Sequence, residues 1–346
     1  MIELLKTIRV VGLRHTLMLY RAYRWGWMDT ISGFFTTRTL QALFNVGFFD
    51  EMQAKGAVNI ESFAVAKNLD FSILKSLCDS LFSLSILKKE GVEYWLDSKG
   101  QILVKVARGW FDGVYGYEVV FHSLEALLKK EKEYGKEVKR RPDYVARGSG
   151  EMEKWIYFPL AIDSITKNGF KSVLDLGCGD GTFLRVLCER NHAVRGYGID
   201  IAPEAIAEGR ERTQQAGLQE RLRLFVEDIS ALEKAPEPLQ GIEVATIFFV
   251  LHELLFAGTG PVIAFLQSFR RVFTGVPLLV FEVIRPTPEE MRQRPGMAIQ
   301  YVLQHDISHQ KLVGSQEWHD IFRTAGFSSI EERQLKFVRT AIFTLR

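Results

Sequence analysis

The sequence predicts an α/β fold in two parts. An α-rich segment fills residues 1–150, and an open, doubly wound sheet closed by a terminal β-hairpin fills residues 151–346. Three observations predict this. From residue 171 onward, apolar runs of strand length alternate with helical stretches, the rhythm of a mostly parallel sheet. The first of these runs ends in a Gly-x-Gly-x-Gly turn that opens a helix. Before residue 150 the chain shows helix caps and a single hairpin-like pair of runs.

Taken in order, residues 1 to about 30 read as amphipathic helix, with Lys6, Arg9, Arg14, Arg21 and Arg24 scattered among apolar residues. The segment is too charged to span a bilayer and lacks the apolar core and cleavage site of a signal peptide. A basic helix containing Trp lies on a membrane surface or packs on a partner subunit. Residues from about 36 to 100 follow a winged-helix order. Arg38 to Val46 is a helix ended by Gly47. Asn59-Ile60-Glu61-Ser62 starts a second helix with Asn59 or Ile60 near its cap, Asp70 N-caps a third, and Ile86 to Leu96 is a hairpin turning at Glu90-Gly91. In a DNA reader the third helix would enter the major groove. Here Phe71 to Leu84 offers one Lys, one Asp and no Arg, so no nucleic-acid partner is expected.

Residues 115 to 141 form another helical region, whose charged run from Lys129 to Arg141 reads as a solvated helix face. Pro142 to Gly150 reads as a linker. Strands follow near 171–176, 194–199, 222–226, 243–250 and 277–283, then a hairpin from Ile330 to Leu335 and Val338 to Leu345. The 346 residues are 47% hydrophobic and 25% charged, with a net charge of +2, which suits a soluble chain of about two domains and no polyanionic or membrane partner. Cys78, Cys178 and Cys188 form no CxxC pair, which points to a reducing cytoplasm and no cysteine zinc site.

The chemistry begins at Val173-Leu174-Asp175-Leu176-Gly177-Cys178-Gly179-Asp180-Gly181. Glycines there permit positive φ and let a ligand approach the backbone. A P-loop would need Gly-Lys-Ser/Thr, and in a dinucleotide fingerprint the third glycine would come one residue later. Asp200, 21 residues after Gly179 at the end of the second strand, is placed to accept the hydroxyls of a ribose. Asp228 closes the third strand, followed by Ile229, as Ile201 follows Asp200. Each acid alone would read as a cap or turn residue. Together they resemble the cofactor crevice of class I S-adenosylmethionine (SAM) methyltransferases. The resemblance implies SAM held by Asp175, Gly177, Gly179, Asp180, Gly181, Asp200, Ile201, Asp228 and Ile229, with Asp228 at the adenine amino group and the next apolar residue on the ring.

The fourth strand runs into Leu251-His252-Glu253, and Glu317-Trp318, Phe322 and Ala325-Gly326-Phe327 follow later. This set resembles the winged-helix small-molecule O-methyltransferases, with Glu253 replacing an Asp. The resemblance implies a homodimer formed by an N-terminal helical/winged-helix dimerisation domain (1–150) and a Rossmann-like SAM-binding catalytic domain (151–346). In that family His252 is a general base oriented by two carboxylates; Glu282 matches one. The second is missing from His309-Gln310-Lys311-Leu312-Val313-Gly314-Ser315.

His252, Glu253 and His305 form instead a two-His, one-carboxylate set suited to Fe or Zn. That set resembles the metal-dependent C-methyltransferases of 2-oxo acids. It implies methylation at C3 of a 2-oxo acid through an enolate, with Asp306 or Glu282 as outer partners of the imidazoles. O-methylation of a hydroxylated aromatic is the alternative. Arg285, Arg292 and Arg294 are candidate partners of an acceptor carboxylate. Phe248, Phe249, Phe256, Tyr301 and Trp318 suggest an apolar acceptor pocket. A non-catalytic SAM-binding scaffold would show decayed cofactor acids, whereas all of them stand.

Overall fold

The computed structural model describes residues 2–234, 239, 241–293 and 298–346. The chain divides into two compact units, residues 1–115 with 143–149 and residues 116–142 with 150–346.

The first unit is mostly helical. Ile2–Val11, Leu13–Arg24 and Trp27–Asn45 follow one another, separated at Gly12 and Gly26, whose φ of +84° and +77° favour glycine. The helix read as starting at Arg38 therefore starts at Trp27. Phe48–Lys55 is a further helix that no side-chain cap announces, because it opens on the left-handed Gly47. Asn59 caps Ile60–Lys67 by accepting the N–H of Glu61 and of Ser62, both at 3.1 Å. Asp70 caps Phe71–Ser83 through Ile73 N–H at 2.8 Å. Lys75 of that helix is paired with Asp79 at 2.6 Å. Strands β1 (Val58–Asn59), β2 (Leu87–Glu90) and β3 (Glu93–Leu96) form an antiparallel sheet in the order β1-β3-β2. The hairpin turns at Gly91-Val92, one residue later than the sequence suggests.

In the second unit the charged run departs from the helical reading. Helices Glu118–His122 and Leu124–Leu128 end before it, and residues 129–141 form turns, with Gly135 at φ +92°. Residue 141 precedes a proline and is extended (φ −88°, ψ 100°), as the proline ring requires of its neighbour. The expected linker also differs. Pro142 is the first residue of a 26-residue helix, Pro142–Lys167, because its missing N–H costs nothing at that position. The division at residue 150 thus falls inside a helix.

The sheet contains β4 (Ser172–Leu176), β5 (Arg195–Asp200), β6 (Leu222–Val226), β7 (Val244–Phe248), β8 (Leu278–Val283), β9 (Ile330–Leu335) and β10 (Thr340–Leu345). The order is β6-β5-β4-β7-β8-β10-β9, parallel from β6 to β8, with β10 antiparallel to both β8 and β9. Alternate residues face opposite cores: Leu174, Ile247 and Val280 on one side, Val173, Phe248 and Phe281 on the other. Both faces are covered, which is why β7 and β8 are buried along their length. The winding direction reverses between β4 and β7, and there the carboxyl ends of the strands open a crevice. Among the described residues no helix is long and apolar enough to cross a membrane.

Gly209, on helix Pro203–Gln215, packs against the glycine turn: a Cβ there would stand 2.4 Å from the carbonyl oxygen of Asp180. Gly209→Ala is expected to displace the turn and cost about 1–3 kcal/mol, read as a lower midpoint in urea unfolding. An unchanged midpoint would show that the helix yields instead.

Candidate active site

The crevice starts where β4 ends. Gly177, Gly179 and Gly181 take φ of +74°, +55° and +68°. A Cβ on Gly177 would come within 2.7 Å of Val250, whereas one on Gly179 would meet nothing within 4 Å. Gly179 thus faces open space at the mouth of the turn, room a ligand needs. Gly181 is the left-handed residue from which helix Thr182–Arg190 springs. Asp180 staples this corner: its Oδ1 accepts the N–H of Thr182 at 3.0 Å and its hydroxyl at 2.6 Å, and Oδ2 pairs with Arg212.

Asp200 ends β5 and accepts the N–H groups of Gly179 (2.8 Å) and Ala202 (2.9 Å), so the acid and the turn are tied together. Ile201 beside it is 68% exposed, while Ile229 lies in the core. Asp228 follows β6 and accepts the N–H of Ser230 at 2.8 Å. Asp175 is 2% exposed and accepts the hydroxyl of Thr246 at 2.7 Å. Burial lifts its carboxyl to about 7; the Thr246 bond opposes that and the Asp200 charge adds to it.

A second group lies at the ends of β7 and β8. Phe249, just past β7, has φ +56°, a conformation costly for a bulky residue, and its N–H bonds to the Phe281 carbonyl at 2.9 Å. The chain then turns into the short helix Leu251–Leu254, which presents His252 and Glu253. Glu282 is fully buried in β8 and reaches across: Oε2 lies 2.9 Å from His252 Nδ1, and Oε1 accepts the His252 backbone N–H at 3.2 Å. His305, on helix Ala298–Ile307, bonds through Nδ1 to the Tyr301 carbonyl at 2.8 Å. The rings of His252 and His305 are 5.2 Å apart, and Tyr301 stacks on His305 at 4.3 Å. His252, Glu253, Glu282 and His305 are therefore brought together from three elements.

Glu253 Oε1 stands 3.9 Å from His252 Nε2 and accepts hydrogen bonds from Arg140 (3.0 Å) and from the side-chain amide of Gln310. Tyr117 donates to Gln310 Oε1 at 3.1 Å and accepts from Arg140 at 3.1 Å. Sequence reading missed Arg140, Tyr117 and Gln310. Gln310 lies in the stretch that lacks a carboxylate, so an amide enters the site from there. Arg140 sits in a run of surface-like charges with no local signal to single it out.

Several expectations fail. Asp306 is not a partner of either imidazole, because Arg285 holds both its oxygens at 2.6 and 2.8 Å. Arg285 is engaged by that same pair, Arg292 is exposed, and Arg294 lies outside the described residues. Trp318 stacks on Phe322 in the core, Phe248 packs on Phe281, and Phe256 points outward. Of the suggested aromatic wall, Tyr301 and Phe249 remain near the site.

Known proteins agree with this layout. Residues 174–274 match the model of a methyltransferase domain. A 2-ketoarginine methyltransferase of Streptomyces arginensis is 27% identical over 314 residues, covering 88% of this chain and 89% of that protein. The structure of mitomycin 7-O-methyltransferase superposes with a TM-score of 0.67 at 16% identity, covering 95% of this chain and 99% of that one. Human N-acetylserotonin methyltransferase in complex with SAM superposes with a TM-score of 0.63 at 18% identity, covering 94% and 97%. The chain is a SAM-dependent methyltransferase.

The methyltransferase's glycine turn and strand-end acids fit the cofactor, which supplies an electrophilic methyl group on a sulfonium. In the candidate acceptor site the two imidazoles are shifted in opposite directions. Burial opposes protonation of His252, but the Glu282 carboxylate outweighs it and the net shift is upward. Burial, reinforced by the His252 charge, pushes His305 down to about 3, so it stays neutral. Burial raises Glu253, yet Arg140 and His252 outweigh it and keep it an anion. Either use of His252, as base or as ligand, needs a free Nε2 lone pair, so activity falls as pH drops through its pKa. Glu282→Gln removes the charge that raises that pKa. The acid limb of the rate profile should move to lower pH, while kcat/KM falls by about 10- to 100-fold at the optimum. An unmoved acid limb would assign that limb to another group.

Proposed function

We propose that this methyltransferase transfers the SAM methyl group to C3 of a small 2-oxo acid, with Fe or Zn held by His252, Glu253 and His305. The observation that carries the reading is the pair of imidazoles 5.2 Å apart, each anchored through Nδ1, with an anionic carboxylate alongside. Anchoring at Nδ1 leaves both Nε2 atoms for a shared ligand, and a ligating imidazole must be neutral. The donor types fit a divalent metal. Among the described residues no three His, Cys, Asp or Glu side chains already stand grouped as a metal site, and Glu253 is engaged by Arg140 and Gln310. The similarity to a 2-ketoarginine methyltransferase supports the acceptor class.

When bound, the metal would act as a Lewis acid on the 2-oxo group and favour negative charge next to C3. The chain's own residues do the rest. Glu282 keeps the His252 proton on Nδ1, Tyr301 does the same for His305, and Arg140 with Gln310 holds Glu253 ionised. The 3% and 4% exposure of His252 and His305 keeps water from the reacting centre.

A second reading is favoured by the 2.9 Å contact between His252 and Glu282. In it, His252 Nε2 takes the proton of an acceptor hydroxyl and oxygen is methylated. Metal analysis of untagged protein, with His305→Ala alongside, separates the two. Near-stoichiometric Fe or Zn that is lost in the variant, with methylation of 2-ketoarginine or another 2-oxo acid, is expected. Metal-free protein that methylates hydroxylated aromatics would replace the first reading by the second.

The methyltransferase also acts, in this proposal, as a homodimer built on its N-terminal helices. Support comes from the large apolar side chains left exposed there, among them Leu13, Leu17, Met18, Trp25 and Trp27. Light scattering should give twice the 39.5 kDa chain mass, and a monomer at micromolar concentration would overturn the proposal.

A further inference from the structure

The two imidazoles of the candidate acceptor site are held in different ways. His252 is tied to another element, because Glu282 of β8 bonds both its ring and its backbone N–H. His305 is bonded within its own helix, through the Tyr301 carbonyl at 2.8 Å. That bond sets the ring against helix Ala298–Ile307 but does not locate the helix. The 5.2 Å between the rings therefore depends on how this helix docks on the end of β8.

Apolar packing gives that docking little direction. The helix supplies one fully buried residue, Val302, to a small cluster with Val283 and Leu312. Tyr301 is partly buried against the cluster, while Ile299 and Leu303 are exposed. Burial of so few side chains is non-directional and lets a helix slide or turn. A charged pair supplies the missing direction. Asp306, next to His305, meets Arg285, which lies three residues beyond Glu282 and just past β8. Arg285 Nη1 stands 2.6 Å from Oδ1 and Nη2 2.8 Å from Oδ2, two parallel bonds of a planar fork. Such a fork fixes an angle as well as a distance. The Arg285 end is itself located: its backbone N–H donates to the Val313 carbonyl at 2.9 Å, and the Ile284 N–H donates to the Arg339 carbonyl at 2.8 Å.

We propose that Arg285 and Asp306 are positioning residues that set the place of His305 against His252. They act through the helix rather than on either ring. The inference rests on the reading of His252 and His305 as a pair that shares one ligand. Both side chains of the fork are more than a third exposed, at 37% and 44%, so the pair contributes little to overall stability. Its effect is geometric. Two imidazoles share a ligand only at a fixed separation, and a displacement of about 1 Å in such a site costs up to about 100-fold in rate.

The test uses Zn²⁺ alone, titrated by calorimetry into metal-free protein, with SAM binding and turnover of 2-ketoarginine measured alongside. Arg285→Lys keeps the charge and loses the fork. In Arg285→Lys and in Asp306→Asn, Zn²⁺ affinity and kcat should each fall about tenfold. SAM affinity and KM for SAM should stay within about twofold, and the melting temperature within about 4 °C. Arg285→Asp alone should bind Zn²⁺ more weakly than the exchanged pair, Arg285→Asp with Asp306→Arg, a coupling that a general loss of stability would not produce. Wild-type Zn²⁺ affinity and kcat in the Lys and Asn variants would overturn the assignment, as would an equal weakening of SAM or the absence of that coupling. His305→Ala separates this inference from the reading beneath it. If His305→Ala abolishes Zn²⁺ binding while the fork variants are silent, only the role of the fork falls. If His305→Ala is also silent, the shared-ligand reading falls and this inference with it.

Discussion

The candidate acceptor site depends on one buried carboxylate. Glu282 sits in β8 with no exposure to solvent, and a lone charge there would cost several kcal/mol. Its partners are the His252 imidazole, the His252 backbone N–H and its own neighbour's N–H at Val283. Two of these three lie on the chain segment that leaves β7. Satisfying Glu282 therefore dictates how that segment turns. The left-handed Phe249 is the local strain accepted to bring His252 back over β8. Once His252 is so placed, its Nε2 can point only away from Glu282, and Glu253 falls beside it on the next residue.

The cofactor side obeys a different constraint. Two of the three strand-end acids are held by backbone N–H groups, Asp200 by Gly179 and Ala202 and Asp228 by Ser230, while the third, Asp175, accepts the Thr246 hydroxyl. Backbone turns supply most of this half. The acceptor half is a network of side chains, Arg140, Tyr117, Gln310 and Glu253, whose members come from residues far apart in the chain. A half built by backbone turns serves a fixed cofactor. A half built by side chains can be altered residue by residue, which suits a variable acceptor.

Charge is distributed along the same division. At the end of β4, burial raises the Asp175 carboxyl to about 7. Glu253 is instead kept ionised by Arg140. His252 and His305 cannot both hold a proton, and their opposite shifts let one stay poised while the other stays neutral.

The strands, the glycine turn and the acids at strand ends were legible because each is a local pattern: an apolar run, then a residue that needs positive φ, then a carboxylate. The caps at Asn59 and Asp70 were legible for the same reason. The run after Leu128 was misread because charge spacing alone fits both a helix face and a loop. Pro142 was misread because a proline marks a helix start as well as a break. His252 and Glu282 were legible as strand-end residues. Arg140 and Gln310 were not, since an Arg among charges or a Gln in a loop reads as surface. By itself the sequence determined the sheet and the cofactor crevice, whose information is carried by the backbone and its short-range periodicity. Only the tertiary structure decided which charges share a buried space, because electrostatic partnership depends on distance through the fold and not on separation along the chain.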